Sequence, residues 1–211
     1  MWKVVALGIV NAGKSSVLSA LANQRGLFSD GDLPRVTREI HRQVVGPLLL
    51  VDTPGLDGDD TESELAMREA STGDTVLWCH SLRMGELHEA ELAALHRYRA
   101  CSRTIWKTCF VLTHEDNVAG EQIVHEVSAR IAAQLGEVFH LRFHGTGEPP
   151  PEMQPGERRP RPFNAVGVGA YWRAFDFREK QRQYLIRRSG IPRLRTFLEG
   201  LAHSHAGEEL S

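Results

Sequence analysis

The stretch Gly8-Ile9-Val10-Asn11-Ala12-Gly13-Lys14-Ser15 satisfies the pattern GxxxxGK[ST], and its reading decides the fold. It follows a short apolar run, Val4 to Gly8, which predicts a strand. It opens a segment, Ser15 to Asn23, whose Val17, Leu18 and Leu21 share one helical face. A strand, a glycine loop and a helix in that order make a phosphate cradle. Loop N–H groups wrap the anion, and the helix N-terminus adds positive potential. Lys14 is expected to reach the β- and γ-phosphates of a nucleotide, and the Ser15 hydroxyl to ligate Mg²⁺. Asn11, Ala12, Gly13 and Ser16 complete the expected contact set of the loop.

Outward from this motif, strands and helices alternate. Ile40 to Val45 and Leu48 to Val51 read as an antiparallel pair joined at Gly46-Pro47. Thr61 to Glu69 predicts a helix opened by a Thr-Glu-Ser-Glu capping pattern. Further strands are expected over Thr75–Cys79, Thr108–Thr113 and Phe163–Val168, and helices over about Gly85–Arg99 and Gly120–Leu135. Two helical stretches, Tyr171–Arg187 and Pro192–Ala202, finish the pattern. The expectation is an α/β fold of three layers: a six-stranded, mostly parallel sheet with one antiparallel edge strand, flanked by about five helices. Residues 1–202 would form one domain, with a proline-rich insertion at about 145–162 and a flexible polar tail at 203–211.

Val51-Asp52-Thr53-Pro54-Gly55 closes the third strand. An aspartate there can hold the magnesium shell through water, and Gly55 lets a backbone N–H approach the γ-phosphate. With these two motifs in place, the chain resembles the translation-factor-related GTPases. The likeness is strongest to the tRNA-modification and ribosome-assembly branch and to the bacterial dynamin-like proteins. Gly8 to Ala20 and Pro47 to Gly55 carry it, and it extends over most of the chain.

The resemblance implies GTP or GDP as ligand, Mg²⁺ as cofactor, and a set of further residues. Thr37 matches the switch threonine that senses magnesium and γ-phosphate, alongside Gly55. Thr113-His114-Glu115-Asp116 stands where the family has its guanine motif, with Asp116 retained to accept from two guanine N–H groups. Thr113 replaces an asparagine and His114 a lysine, and a similar Thr-His opening occurs in plastid-import and immune-associated septin-like GTPases. The last base contact falls on Gly169-Ala170 or Asn164-Ala165. Gly169-Ala170 is preferred, because the expected strand Phe163–Val168 precedes it.

Two departures bear on turnover. Leu56 follows Gly55 where Ras-like relatives place the glutamine that orients water, so hydrolysis by this domain alone should be slow. Asn11 occupies the position at which potassium-dependent relatives hold a K⁺ ion, although an asparagine that stabilises the turn explains the residue equally well. Arg35 and Arg38, in the expected switch loop, offer charge across a homodimer or to a protein partner.

Composition bounds the rest. The 211 residues are 41% hydrophobic and 25% charged, with a formal net charge of -2, which argues against nucleic acid as an obligatory partner of the whole molecule. Charge is uneven: Glu157 to Arg195 holds eleven Arg or Lys against three acidic residues. RNA, an anionic membrane or an acidic protein could meet this stretch, but solvated helix faces are the expected explanation, with Tyr171, Trp172, Phe175 and Phe177 packed inward. Cys79, Cys101 and Cys109 lack metal-ligand spacing, and His80, His88, His96 and His203 likewise, so no transition-metal site is expected. Trp2 to Leu7 runs straight into the glycine motif and no apolar stretch approaches ~20 residues. The expected location is the cytoplasm.

Overall fold

A period of two divides the central strands between two cores. The computed structural model describes residues 1–28, 39–101, 105–118, 120–140 and 164–208. Within them, six strands form one sheet: β1 (Trp2–Leu7), β2 (His41–Val45), β3 (Leu48–Asp52), β4 (Thr75–Ser81), β5 (Thr108–Thr113) and β6 (Asn164–Ala165). Their order is β2-β3-β1-β4-β5-β6. Only the β2–β3 pair is antiparallel. Val5, Leu7, Val51, Trp78, Phe110 and Leu112 point to one face, and Val4, Ala6, Leu50, Leu77, Cys79 and Val111 to the other. Strands buried on both faces demand helices on both, which is why the runs are continuously apolar.

The first face is covered by α2 (Asp60–Ser71), α3 (Glu89–Cys101) and α4 (Glu121–Phe139), through residues such as Ala66, Leu95 and Ile131. The second is covered by α1 (Lys14–Leu21), α5 (Val168–Arg173) and α7 (Ile191–Glu208), through Leu18, Tyr171 and Leu198. A further helix, α6 (Glu179–Arg188), has no buried residue and lies solvated against its neighbours. Among the described residues no helix is long and apolar enough to cross a membrane.

Several local expectations are corrected. The cap of α2 is Asp59, whose carboxylate accepts from the Glu62 N–H at 2.8 Å, rather than Thr61. Two acidic residues, Asp60 and Glu62, then sit in the first turn where the helix dipole favours them. The stretch read as one helix from Tyr171 is broken into α5, a 3₁₀ turn (Ala174–Asp176) and α6. This break leaves Phe175 and Phe177 41% and 40% exposed instead of packed; Tyr171 is buried as expected. The last helix, α7, carries on past Ala202 to Glu208, where a tail was expected. The proline-rich segment 145–162 lies outside the described residues.

Of the strand expected over Phe163–Val168, Phe163 lies outside the described residues, and among the rest only Asn164–Ala165 is strand. Val166 still donates to the Leu112 carbonyl at 2.8 Å, but its own carbonyl is taken by the Glu115 N–H at 3.3 Å. Gly167 then turns the chain into α5 against Asp116, so close that a Cβ there would stand 3.0 Å from the Asp116 Cβ.

Candidate functional site

The register aligns the carboxyl ends of β1, β3, β4 and β5, and the order reverses at β1, with β3 on one side and β4 on the other. Open α/β sheets bind ligands at such a point. The glycine loop leaves β1 here. Gly13, with φ 86°, is the residue that lets the loop turn into α1, and a Cβ on it would meet the Thr113 side chain at 3.1–3.3 Å. Asn11 also adopts a left-handed conformation, φ 61°, at an exposed position, which suits asparagine better than most side chains.

Lys14 begins α1 and is only 6% exposed. Its Nζ donates to the carbonyls of Gly8 at 3.1 Å and Ile9 at 2.9 Å, so the loop itself wraps the ammonium. Burial lowers its pKa, and the nearby Asp52 carboxylate opposes that shift. Asp52, wholly buried at the end of β3, has its pKa raised by burial, against the pull of the Ser15 hydroxyl and Lys14. Ser15 Oγ donates to Asp52 Oδ2 at 2.5 Å. A hydroxyl and a carboxylate side by side are hard oxygen donors, the set that magnesium takes together with phosphate oxygens. The pair fits that ion. Among the described residues no group of three or more His, Cys, Asp or Glu side chains is placed to hold another metal.

The segment after β3 closes on the glycine loop. A Cβ at Gly55 would stand 2.3 Å from Val10 Cγ2 and 2.8 Å from its backbone N, so only glycine fits. Asp57 Oδ1 accepts from the Val10 N–H at 2.5 Å, and the Leu56 N–H donates to the Gly8 carbonyl at 3.1 Å. The Leu56 side chain lies in the core at 1% exposure. Thr53 is structural: its hydroxyl donates to the Ala6 carbonyl at 2.6 Å. Thr37, Arg35 and Arg38 lie outside the described residues.

At the far end, Thr113, His114 and Asp116 follow β5. Thr113 is buried, and its hydroxyl donates toward Ala12 of the glycine loop at 2.8 Å. His114 holds φ 58°, with Nδ1 2.9 Å from Ser81 Oγ; burial and the nearby Arg83 lower its pKa. Asp116 Oδ2 accepts from Arg173 of α5 at 3.2 Å. These residues line one cavity of about 410 Å³, which runs from Gly13, Ser15 and Ser16 to Asp116. The volume is of the size that small-molecule ligands occupy.

From the α5 side the cavity is lined by Val168, Gly169 and Trp172, and Ala170 is not among the lining residues. Asn164 and Ala165 are held in β6, paired with β5. Gly169 is pressed against the acid: a Cβ there would stand 2.4 Å from Asp116 Oδ2. Arg25, Asn117 and Trp172 also line the cavity, and sequence reasoning had not placed them there. For Trp172 a signal existed, an aromatic next to the Gly169-Ala170 segment; for Arg25, in an unpatterned loop, there was none.

The 50S ribosome-binding GTPase family matches residues 3–112. GTPase Der of Aeromonas hydrophila is 33% identical over 158 residues, which cover 70% of this chain and 30% of that protein. The tRNA modification GTPase MnmE of Paracidovorax citrulli is 39% identical over 106 residues, 44% of this chain and 22% of the relative. The chain thus spans less than a third of the length of these relatives. Among solved structures, Toc33 from Arabidopsis thaliana in complex with Mg²⁺ and GMPPNP shares the fold, with a TM-score of 0.66 over 96% of this chain and 85% of that chain at 17% identity.

Proposed function

The chain belongs to the 50S ribosome-binding GTPase family, and from that premise we propose that it binds GTP with Mg²⁺, hydrolyses it slowly, and acts as a conformational switch in the cytoplasm. The observation that carries this reading is a single cavity joining Ser15, beside Lys14 and Asp52, to Thr113 and Asp116. In the proposal Lys14 and the loop N–H groups from Asn11 to Ser16 bind phosphate. Ser15, Thr37 and Asp52 hold magnesium. Gly55 and Thr37 sense the γ-phosphate, and Asp116 reads the guanine edge, with the Gly169-Ala170 segment beside it. Bound magnesium would neutralise phosphate charge.

Slow turnover is supported by Leu56, whose burial leaves the water-orienting position without a polar side chain. Activation is then assigned to a second copy or a partner protein at the switch loops, or to K⁺ at Asn11. The buried Leu56 equally favours a second reading, a nucleotide-dependent interaction module with little turnover.

The test is titration of GTP and ATP against the wild type and Lys14→Ala, followed by phosphate release. GTP should bind at least about ten-fold more tightly than ATP, about 1.4 kcal/mol, and Lys14→Ala should lose tight binding of both. Equal affinity for the two nucleotides would reject the guanine reading. Tight binding of GTP with no phosphate release would leave the interaction module.

A further inference from the structure

Trp172 is the one large aromatic ring on the wall of the cavity, among the described residues, and no motif predicted it. It is half-buried on α5, between the fully packed Tyr171 and the exposed edge of the 3₁₀ turn. Its ring is fixed from behind. The Tyr171 ring meets it edge-on at 5.0 Å and 72°, and the Phe175 ring lies 6.0 Å away. Tyr171 is itself anchored, its hydroxyl donating to Asn23 Oδ1 at 2.8 Å. The Trp78 indole, by contrast, is fully buried and spent inside the core, where it donates to Glu91 at 3.0 Å.

The helix fixes where this ring stands. Gly169 and Trp172 are three residues apart, neighbours on one helical face, separated by about 4.5 Å along the axis. Gly169 is pressed against Asp116 Oδ2 because it has no side chain. Trp172 is therefore carried on the helix turn that follows the residue touching the carboxylate assigned to the guanine edge, and both Trp172 and Asp116 line the cavity. The second aromatic surface in the cavity is His114, held by Ser81 and Thr113 through Nδ1.

Resting on the proposed nucleotide site, we infer that Trp172 is a base-contacting residue. Its indole packs against the purine of the bound nucleotide, so that the ring meets aromatic surface from two elements, His114 after β5 and Trp172 on α5. The contact supplies affinity without reading the exocyclic groups, because every purine has the same kind of π-face. The edge is read by Asp116. The rival explanation is that Trp172 only completes the aromatic cluster with Tyr171 and Phe175.

The experiment measures GDP and inosine diphosphate binding, with Mg²⁺, to the wild-type chain and to Trp172→Ala and Trp172→Phe. It also follows tryptophan emission and thermal unfolding. Trp172→Ala should weaken both nucleotides alike, by about ten-fold, the range that loss of one aromatic stacking partner gives. Trp172→Phe should keep affinity within about three-fold, since it retains an aromatic face. GDP should change the emission of the wild type and leave that of Trp172→Phe unchanged. A folded Trp172→Ala that binds GDP within about two-fold of wild type would overturn the inference and leave the nucleotide site standing. If Trp172→Ala fails to fold, an emission change retained in Trp172→Phe would overturn it instead. A wild type that binds no guanine nucleotide would remove the site itself, and this inference with it.

Discussion

Thr113 Oγ donates to the carbonyl oxygen of Ala12 at 2.8 Å, tying the end of β5 to the phosphate loop across 101 positions of sequence. The same hydroxyl lies 3.2 Å from the His80 carbonyl and 3.0 Å from His114 Nδ1, so one short side chain links β4, β5 and the loop. Thr113→Val keeps the shape and removes the hydroxyl. Leaving the buried Ala12 carbonyl without its donor should cost about 1–3 kcal/mol of stability. GTP and ATP binding should weaken together, because the loop rather than base reading is loosened. Urea unfolding and nucleotide titration check this. A valine variant as stable as the wild type would show that the tie is dispensable.

What was legible in the sequence is what local backbone demands fix. Gly8 to Ser15 and Asp52 to Gly55 need particular residues at particular places, and the structure gives the steric reasons at Gly13 and Gly55. The central strands β1, β3, β4 and β5 were legible because they are buried on both faces and read as apolar runs. The break between α5 and α6 was not. Ala174 to Arg178 contains no Gly or Pro to announce it, and the turn follows from Tyr171 and Ala174 being buried while Phe175 and Phe177 are not. Nor could any periodicity place Arg173 on Asp116, 57 positions away. Contacts across the cavity arise from packing α5 onto the end of β5, which the sequence pattern does not encode at the level of single side chains.

That Arg173–Asp116 pair yields a second prediction. The arginine side chain is 63% exposed and the carboxylate 8%. A pair so open on one side contributes little to stability, within about 1 kcal/mol. It does occupy Oδ2 of the acid assigned to guanine, and must share that oxygen when the base arrives. Arg173→Ala should therefore tighten GDP binding by roughly two- to five-fold, under about 1 kcal/mol, with an unfolding midpoint near the wild type's. Weaker GDP binding in this variant would mean that Arg173 instead holds the carboxylate in its reading position.

A third prediction concerns pH. His80 is 1% exposed and faces acceptors from both ring nitrogens, Glu91 Oε2 at 2.8 Å and the Gly85 carbonyl at 2.9 Å. Such surroundings select the doubly protonated ring. Burial pulls its pKa down, but the Glu91 carboxylate and the Gly85 carbonyl outweigh that, and the net shift is upward from 6.5. A group whose folded pKa is raised gives its full stabilisation below the unfolded value, and loses it as pH rises through the folded value. Wild-type stability relative to Glu91→Gln should thus be largest near pH 6 and shrink on the alkaline side. Breaking the buried pair should itself cost about 3–5 kcal/mol at low pH. Urea unfolding of both proteins across this range tests it, and a pH-independent difference between them would show that His80 is neutral.

The last prediction addresses how hydrolysis proceeds without a glutamine after Gly55. Leu56 is 1% exposed, with its backbone N–H on the Gly8 carbonyl, so that position offers nothing to an attacking water. The charge that develops during phosphoryl transfer then needs another stabiliser. Asn11 stands exposed on the phosphate loop, at φ 61°, and in the proposed function its side chain holds a potassium ion. Phosphate release should be slow, and faster in potassium than in sodium at matched ionic strength. If a second copy supplies the charge, through Arg35 or Arg38, release should rise with protein concentration instead. Asn11→Gly is the informative variant, because glycine accepts the left-handed backbone freely, whereas alanine would add roughly 1–2 kcal/mol of strain. It should remove the potassium effect and leave GDP affinity nearly unchanged, since an interaction made mainly in the transition state contributes little to ground-state binding. A potassium effect that survives in Asn11→Gly would move the ion elsewhere. Turnover flat in both cation and protein concentration would reject self-activation, leaving a separate activating protein or the interaction module.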